Sequence, residues 1–207
     1  MPDAHPAAAA FARIVAWLDR HAPPVAAGLR GPATDADLDG LERELKAADP
    51  PFPGEVPAAL RAVLKVRNGG RDAAVLPGGP VFDECPFDLL SASNIFEERA
   101  AWTRNQRESP LSADDLAYAD DVSDPRVRRA GFLPAWLPFA EVGGNLLCLD
   151  DDPAPGGTPG QVIALNHEDA GTHHLADSLT GYLEAAADAF EAGRYELEED
   201  YLVVAGG

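Results

Sequence analysis

The spacing of the apolar residues changes near residue 70 of this 207-residue chain, and that change restricts the possible fold classes. Before it, apolar side chains recur every three to four residues, as in Leu38, Leu41 and Leu45, which indicates amphipathic helices. After it, short apolar runs lie between glycine and proline residues, which indicates strands and turns. Helical spacing returns near Asn94 and again after Ser178. Because the strands cluster and do not alternate regularly with helices, this order predicts an α+β fold.

Capping residues and prolines predict where the helices begin and end. Thr34 with Asp37 three residues later has the form of a capping box, so a helix should begin there. Asn94 and Ser178 are the expected caps of two later helices. The first helix should stop at Pro23. A further helix should begin at Pro57 and end at "NGG", residues 68–70. The last helix should end at Gly193.

The expected strands fall in two groups. "AAVLP", "PVFDE" and "FDLLS" form the first, and "WLPFAEV", "NLLCLD" and "QVIALNH" form the second, with "HHLAD" as a further candidate. Residues 111–131, "LSADDLAYADDVSDPRVRRAG", are predicted to be an irregular, largely polar insertion with room for one helical turn. The tail after residue 193 either extends the last helix or forms an edge strand. The predicted core residues are Leu41, Leu60, Leu64, Leu147, Leu149, Ile163 and Leu183.

The charge of the chain narrows the class of partner. Thirty-five acidic residues against 16 lysines and arginines give a formal net charge of -19. Nucleic acids and anionic membranes are bound through basic surfaces, so we expect neither as a partner. A basic protein partner is compatible with this charge, because opposite charges speed encounter. Solubility alone is the alternative explanation of the acidity.

The beginning of the chain and its cysteines point to the cytoplasm. The first 24 residues lack a basic n-region, and Arg13 and Asp19 interrupt the apolar run, so we expect no signal peptide. No stretch has the length of a membrane span. Cys85 and Cys148 form no C-x-x-C pair, which predicts two reduced, buried thiols. The three tryptophans fall in apolar patterns and are expected in the core.

Three consecutive aspartates, Asp150 to Asp152, are the most conspicuous candidate for a metal site. Calcium loops place oxygen ligands at alternate positions and a glycine at the turn, whereas Pro153 follows here. Neighbouring side chains of an extended chain also point to opposite faces, so these carboxylates should not converge. The histidines at 167, 173 and 174 fit no zinc spacing, and neither a G-x-S-x-G motif nor a P-loop occurs. The sequence therefore predicts no metal, no cofactor and no enzyme.

The order of motifs resembles the SUKH superfamily, in its Smi/Knr-type branch of cell-wall-assembly regulators. The similar segments are "ATDADLDGLERELKAADPPFPGEVPAALRAVLKVRNGG", "FDLLSASNIFEERAAWTRN", "GFLPAWLPFAEVGGNLLCLDDDPAPGGTPGQVIALNHED" and "LADSLTGYLEAAADAF". They extend from Thr34 to Phe190. The matching residues in the first segment are Thr34, Leu41, Glu42, Val56, Pro57, Leu60, Asn68 and Gly69, and those in the third are Leu137, Pro138, Phe139, Gly144, Asn145, Leu149 and Asp150.

The resemblance implies one non-enzymatic SUKH-like domain with a central, mostly antiparallel sheet packed against helices. Residues 1–33 would be an N-terminal helical extension, 34–190 the core and 191–207 an acidic tail. It also implies an immunity-type protein that masks a basic toxin such as a nuclease, or alternatively a regulatory interaction module. Neither the oligomeric state nor the partner's identity follows from it. Clustered loop acids are the expected partner surface: Asp150, Asp151, Asp152, Glu168 and Asp169, with a second candidate at Asp114, Asp115, Asp120 and Asp121.

Overall fold

A computed structural model describes residues 5–71, 73–168 and 170–206 of the chain. The helices are α1 (Pro6–His21), α2 (Pro23–Gly28), α3 (Asp35–Ala47), α4 (Ala58–Leu64), α5 (Ala92–Glu108), α6 (Ala113–Val122) and α7 (Leu179–Glu191). The strands are β1 (Ala74–Pro77), β2 (Pro86–Leu89), β3 (Trp136–Val142), β4 (Asn145–Asp150), β5 (Gln161–Leu165), β6 (Thr172–Ala176), β7 (Tyr195–Glu198) and β8 (Tyr201–Val204).

The first six strands form one sheet in which chain order and spatial order are the same. Every neighbouring pair from β1 to β6 is antiparallel. A tight turn produces this pairing between β3 and β4, since it reverses the chain at once, whereas α5 and α6 lie between β2 and β3. Gly143 and Gly144, which join β3 to β4, both have positive φ values of 55° and 91°. The predicted α+β class and the antiparallel sheet are confirmed.

Each face of β4 is buried against a different cluster of apolar side chains. Leu147 and Leu149 belong to the larger core, which also holds residues of α1, α3, α4 and α7. Leu146 and Cys148 point the other way, into a smaller core with Trp136. A strand covered on both faces has no polar alternation, which explains the continuous apolar run "LLCL". All the leucine and isoleucine residues predicted to be core are buried.

Helices α1 and α7 pack against each other beside the sheet. The rings of Trp17 and Phe190 lie 5.0 Å apart at this contact, and Arg13 of α1 forms ion pairs with Asp188 and Glu191 of α7. The predicted N-terminal helix is therefore an integral part of the main core. All three tryptophans lie in apolar surroundings as expected, although only two are fully buried and Trp102 is partly buried against the smaller core.

The predicted caps are confirmed at two helices and wrong at one. Thr34 forms the reciprocal capping box with Asp37, and the Ser178 hydroxyl accepts a hydrogen bond from the amide of Gly181. Helix α5, however, is capped three residues before the expected position. The Ser91 hydroxyl accepts from the amide of Asn94 at 3.2 Å, so Ser91 is the cap and Asn94 is inside the helix.

Five local details correct or complete the predictions from the sequence. Pro23 ends α1 but also opens α2, because a proline fits the first turn of a helix. The segment "PVFDE" is a 3-10 helix over Pro80–Phe82, not a strand. Residues 111–131 contain the ten-residue helix α6, which is longer than the single helical turn that was expected. Of the two alternatives for the tail, the strand is observed, as one half of the antiparallel hairpin β7–β8. Of the two free thiols, Cys148 is buried but Cys85 is exposed.

Candidate functional site

The three consecutive aspartates at the end of β4 lie in three different environments. Asp150 is completely buried. Its carboxylate accepts hydrogen bonds from the indole of Trp136 at 3.0 Å, the amide of Asp152 at 3.0 Å and the side chain of Gln161 at 2.9 Å. Burial raises the pKa of Asp150, while these donors act in the opposite direction. A buried group cannot meet a partner, so Asp150 is removed from the predicted partner surface.

Asp150 and Gln161 together close the loop of residues 151–160. The backbone oxygen of Asp150 accepts from the amide of Gly160 at 2.7 Å. The Gln161 side chain accepts from the amide of Thr158 at 3.1 Å and donates to the backbone oxygen of Arg126 at 3.1 Å. These hydrogen bonds satisfy buried polar groups, as such groups require. These hydrogen bonds connect the loop to the smaller core, and their role is structural.

Asp151 and Asp152 do reach the surface beside a basic segment. A carboxylate oxygen of Asp152 lies 2.9 Å from Nη2 of Arg128, and the Arg128 Nε donates to the backbone oxygen of Asp152 at 2.9 Å. Asp151 is exposed. Near Arg128 is a cleft of about 550 Å³ whose walls also include Val127 and Leu133. Both carboxylates are exposed, and the charge of Asp152 is offset by Arg128.

Glu168 lies at the other end of the sheet from these aspartates. It follows His167, whose backbone amide donates to the side chain of Asn145 at 3.1 Å. Asn145 begins β4 and Asp150 ends it, so roughly 17 Å of extended chain separates the two ends. The first predicted partner surface is therefore divided into two places. Asp169 lies outside the described residues.

The second predicted acidic surface lies on α6. Ser112 and Asp115 form a capping box at its beginning. The Ser112 hydroxyl and backbone amide both donate to the Asp115 carboxylate, which fixes the first turn of the helix and holds the pKa of Asp115 below its ordinary value. Asp114 is exposed, as are the apolar side chains of Leu116 and Tyr118. The side chains of Asp120 and Asp121 lie outside what the structure describes.

The histidines and cysteines do not gather around a common point. His174 Nε2 lies 3.0 Å from an oxygen of Asp177, and His167 bonds to the side chain of Asn145. Within residues 5–71, 73–168 and 170–206, no three histidine, cysteine or acidic side chains are placed to share a metal ion. Burial raises the pKa of the Cys148 thiol well above its ordinary value, which keeps this thiol protonated and unreactive. In the same described part of the chain, no helix is long and apolar enough to cross a bilayer.

Sequence reasoning missed a buried cation at Arg99 of α5. Its guanidinium donates to the backbone oxygens of Pro50 and Pro134 and lies over the ring of Phe52, with Cζ 5.6 Å from the ring centroid. Burial lowers the pKa of Arg99. The available signal was its position four residues after the buried Ile95, on the inner face of the helix. Arg99 connects two loops to α5 and is a structural residue.

Comparisons with known proteins agree with this architecture. The model of the SMI1 / KNR4 family (SUKH-1) matches residues 32–185. A cell wall biosynthesis/cell cycle regulator, smi1, from Schizosaccharomyces pombe is 28% identical over 94% of this chain and 38% of its own length. A KNR4/SMI1 homolog from Yarrowia lipolytica is 26% identical over 96% of the chain and 32% of its own length. The cell wall assembly regulator SMI1 of Saccharomyces cerevisiae is 23% identical, with 92% and 42% covered.

Proposed function

The chain belongs to the SMI1 / KNR4 family (SUKH-1), and from this membership we propose that it is a non-enzymatic protein-binding module with a regulatory role. The observation that carries the proposal is the match to relatives named as cell wall or cell cycle regulators. The chain spans between 32% and 42% of the length of these relatives. It therefore corresponds to their family domain, and the proposal concerns the binding that this domain performs.

The charge of the chain supports a basic protein as the partner. The net charge of -19 favours approach of an oppositely charged surface. Asp114 and Asp151 are exposed, so two separate regions present acids to solvent. A basic partner fits a regulator and a toxin-neutralising protein equally well. The names of two of the relatives refer to cell wall regulation, so they favour the regulatory role.

A domain exchange tests the regulatory role. The chain would replace the matching segment of the Schizosaccharomyces pombe relative, and growth would be measured under a cell-wall stress such as Calcofluor white. We expect the chimera to restore growth to a strain that lacks the relative. A chimera that carries Leu183→Ala is the matched control, because loss of a buried side chain should destabilise the domain and reduce rescue. Failure of the intact chimera at normal cellular abundance would contradict the regulatory proposal.

A second measurement addresses the basic partner. Proteins that associate with the tagged chain would be identified, and association rates measured with the purified partner between about 50 mM and about 500 mM NaCl. We expect a partner with a net positive charge and an association rate that falls steeply over this range, because salt screens exposed charges. A neutral partner with a salt-independent rate would show that the acidity serves solubility.

A further inference from the structure

Helix α6 exposes an unusual share of the large apolar surface of the chain. Among the described residues, the exposed large hydrophobic side chains are Leu116 at 37%, Tyr118 at 58% and Tyr201 at 66%. The first two lie on one ten-residue helix. Isolated exposed apolar residues are ordinary, but tyrosine is enriched among residues that anchor protein interfaces. Leu116 and Tyr118 are two residues apart and face different sides of the helix, so it is the side that carries the Tyr118 ring that is favoured as a surface for protein contact.

Helix α6 is also capped at its beginning and attached to the sheet at its end. At its beginning, the capping box of Ser112 and Asp115 satisfies backbone amides of the first turn. At its end, the Ser123 hydroxyl accepts from the amide of Thr172 at 3.0 Å, and the amide of Asp124 donates to the backbone oxygen of Thr172 at 2.7 Å. These last two bonds connect the helix to the first residue of β6. Tyr118 is therefore carried by a helix that is already formed and attached to the sheet.

The charge around Tyr118 specifies the kind of partner. Asp114 and Asp115 precede it by four and three residues, which places them on the same side of the helix. Residues 113–122 contain four aspartates and no lysine, arginine or histidine. A second copy of this acidic helix would repel it, as would an anionic membrane. A basic surface with an apolar recess complements both the ring and its surrounding acids.

We propose that α6 is the docking element of this chain, with Tyr118 inserted into an apolar recess of a basic protein partner. The inference rests on the proposed protein-binding function and assigns that function to one helix. Asp114, which lies on the same side of the helix as Tyr118, meets the basic rim of the recess. Binding of this kind buries the Tyr118 ring and brings opposite charges together around it. It requires no conformational change in the sheet, since α6 is already attached to β6.

Two synthetic peptides test the proposal with the full chain. One is a fluorescein-labelled amphipathic helix of lysine and leucine, and the other has the same lysines with glutamine in place of every leucine. Binding is measured by fluorescence anisotropy at about 50 mM NaCl, where charge attraction is only moderately screened. We expect Tyr118→Ala to weaken binding of the lysine–leucine peptide about 10-fold, because a buried aromatic anchor is lost. The lysine–glutamine peptide should bind the chain and Tyr118→Ala equally.

Tyr201→Ala is the matched control, because Tyr201 is the other exposed tyrosine among the described residues and lies on β8. It should change binding of either peptide less than about 2-fold. Circular dichroism and thermal unfolding verify that Tyr118→Ala is folded, which is expected because alanine favours helix. Equal effects of Tyr118→Ala and Tyr201→Ala would overturn the docking role of α6 while leaving a basic partner in place. If neither peptide binds the chain, the basic partner is overturned as well. If the chain forms a dimer and Tyr118→Ala dissociates it, α6 contacts a second copy of the chain and the proposal is overturned.

Discussion

The indole Nε1 of Trp136 donates a hydrogen bond of 3.0 Å to the carboxylate of Asp150, and both side chains are completely buried. The two residues are also direct partners across the β3–β4 ladder. Asp150 thus satisfies a donor that an apolar residue would leave unpaired, while Trp136 fills much of the smaller core. An acid that looks like the solvated end of a strand is in fact part of the interior.

Removal of the Asp150 carboxylate should destabilise the fold. Asp150→Ala leaves the Trp136 indole and the Gln161 amide without this acceptor, so we expect a loss of about 2–4 kcal/mol in the free energy of unfolding. Urea denaturation followed by circular dichroism measures this loss. Asp151→Ala is the control, because Asp151 is exposed and its removal should cost far less. Equal stability of the two variants would show that the buried network contributes little.

The same geometry predicts no divalent metal ion at residues 150–152. The Asp150 oxygens already accept three hydrogen bonds inside the protein, and Asp152 is paired with Arg128. Too few carboxylate oxygens therefore remain for a calcium site, which needs about six to eight. Calorimetric titration with calcium, magnesium and zinc should give no saturable binding there. Saturable binding that Asp150→Asn with Asp152→Asn abolishes would contradict this expectation.

The burial of Asp150 was available in the sequence, although the three aspartates concealed it. Alternation along β4 places Asp150 on the same face as Leu146 and Cys148, which line the smaller core. Three consecutive acidic residues suggest exposure to solvent, and this concealed the alternation of side chains between the two faces of β4. The separation of Asp151 from Glu168 within the predicted partner surface was harder to predict from the sequence. It depends on strand pairing between distant residues, which no local pattern specifies.

The fold could be predicted from the sequence more fully than the partner surface could. Apolar spacing and caps such as Thr34 are local signals, so they predicted the α+β class and most elements correctly. The length of helix α6 was underestimated, because only one of its described side chains, Ala119, is buried and no apolar stripe marks the helix. The tail hairpin was ambiguous because "RYELEEDYLVV" carries alternation and strong helix formers together. In the tail, pairing between β7 and β8 decides the structure.

Truncation of a predicted core leucine should cost far more than truncation of an exposed one. Leu183 of α7 is fully buried in the larger core, so Leu183→Ala should lower the free energy of unfolding by about 2–5 kcal/mol. Leu116→Ala removes the same atoms from the exposed face of α6 and should change stability by less than about 0.5 kcal/mol. Urea denaturation compares the two. Similar losses for both would mean that α6 packs more tightly than its exposure indicates.

Stability should depend on pH through Asp124 and Arg126. The side-chain hydrogen bond from Arg126 is the largest cause that lowers the pKa of Asp124 to about 2 in the folded chain, from an ordinary value of 3.8. The folded chain therefore holds this proton less tightly than the unfolded chain. The resulting stabilisation is present above the ordinary value and disappears as the pH falls through about 2.

Arg126→Gln removes the largest cause of this pKa shift and so tests it. Because solvent screens the Arg126 guanidinium, whose side chain is 42% exposed, we expect only a small loss of stability near neutral pH. The difference in the free energy of unfolding between Arg126→Gln and the unaltered chain should shrink steadily as the pH is lowered from about 5 to about 2. Urea denaturation at each pH measures this difference. In an Asp124→Asn background, the same substitution should have an effect that does not vary with pH, because the titrating partner is gone. A difference that stays constant with pH in both backgrounds would rule out the ion pair as its source.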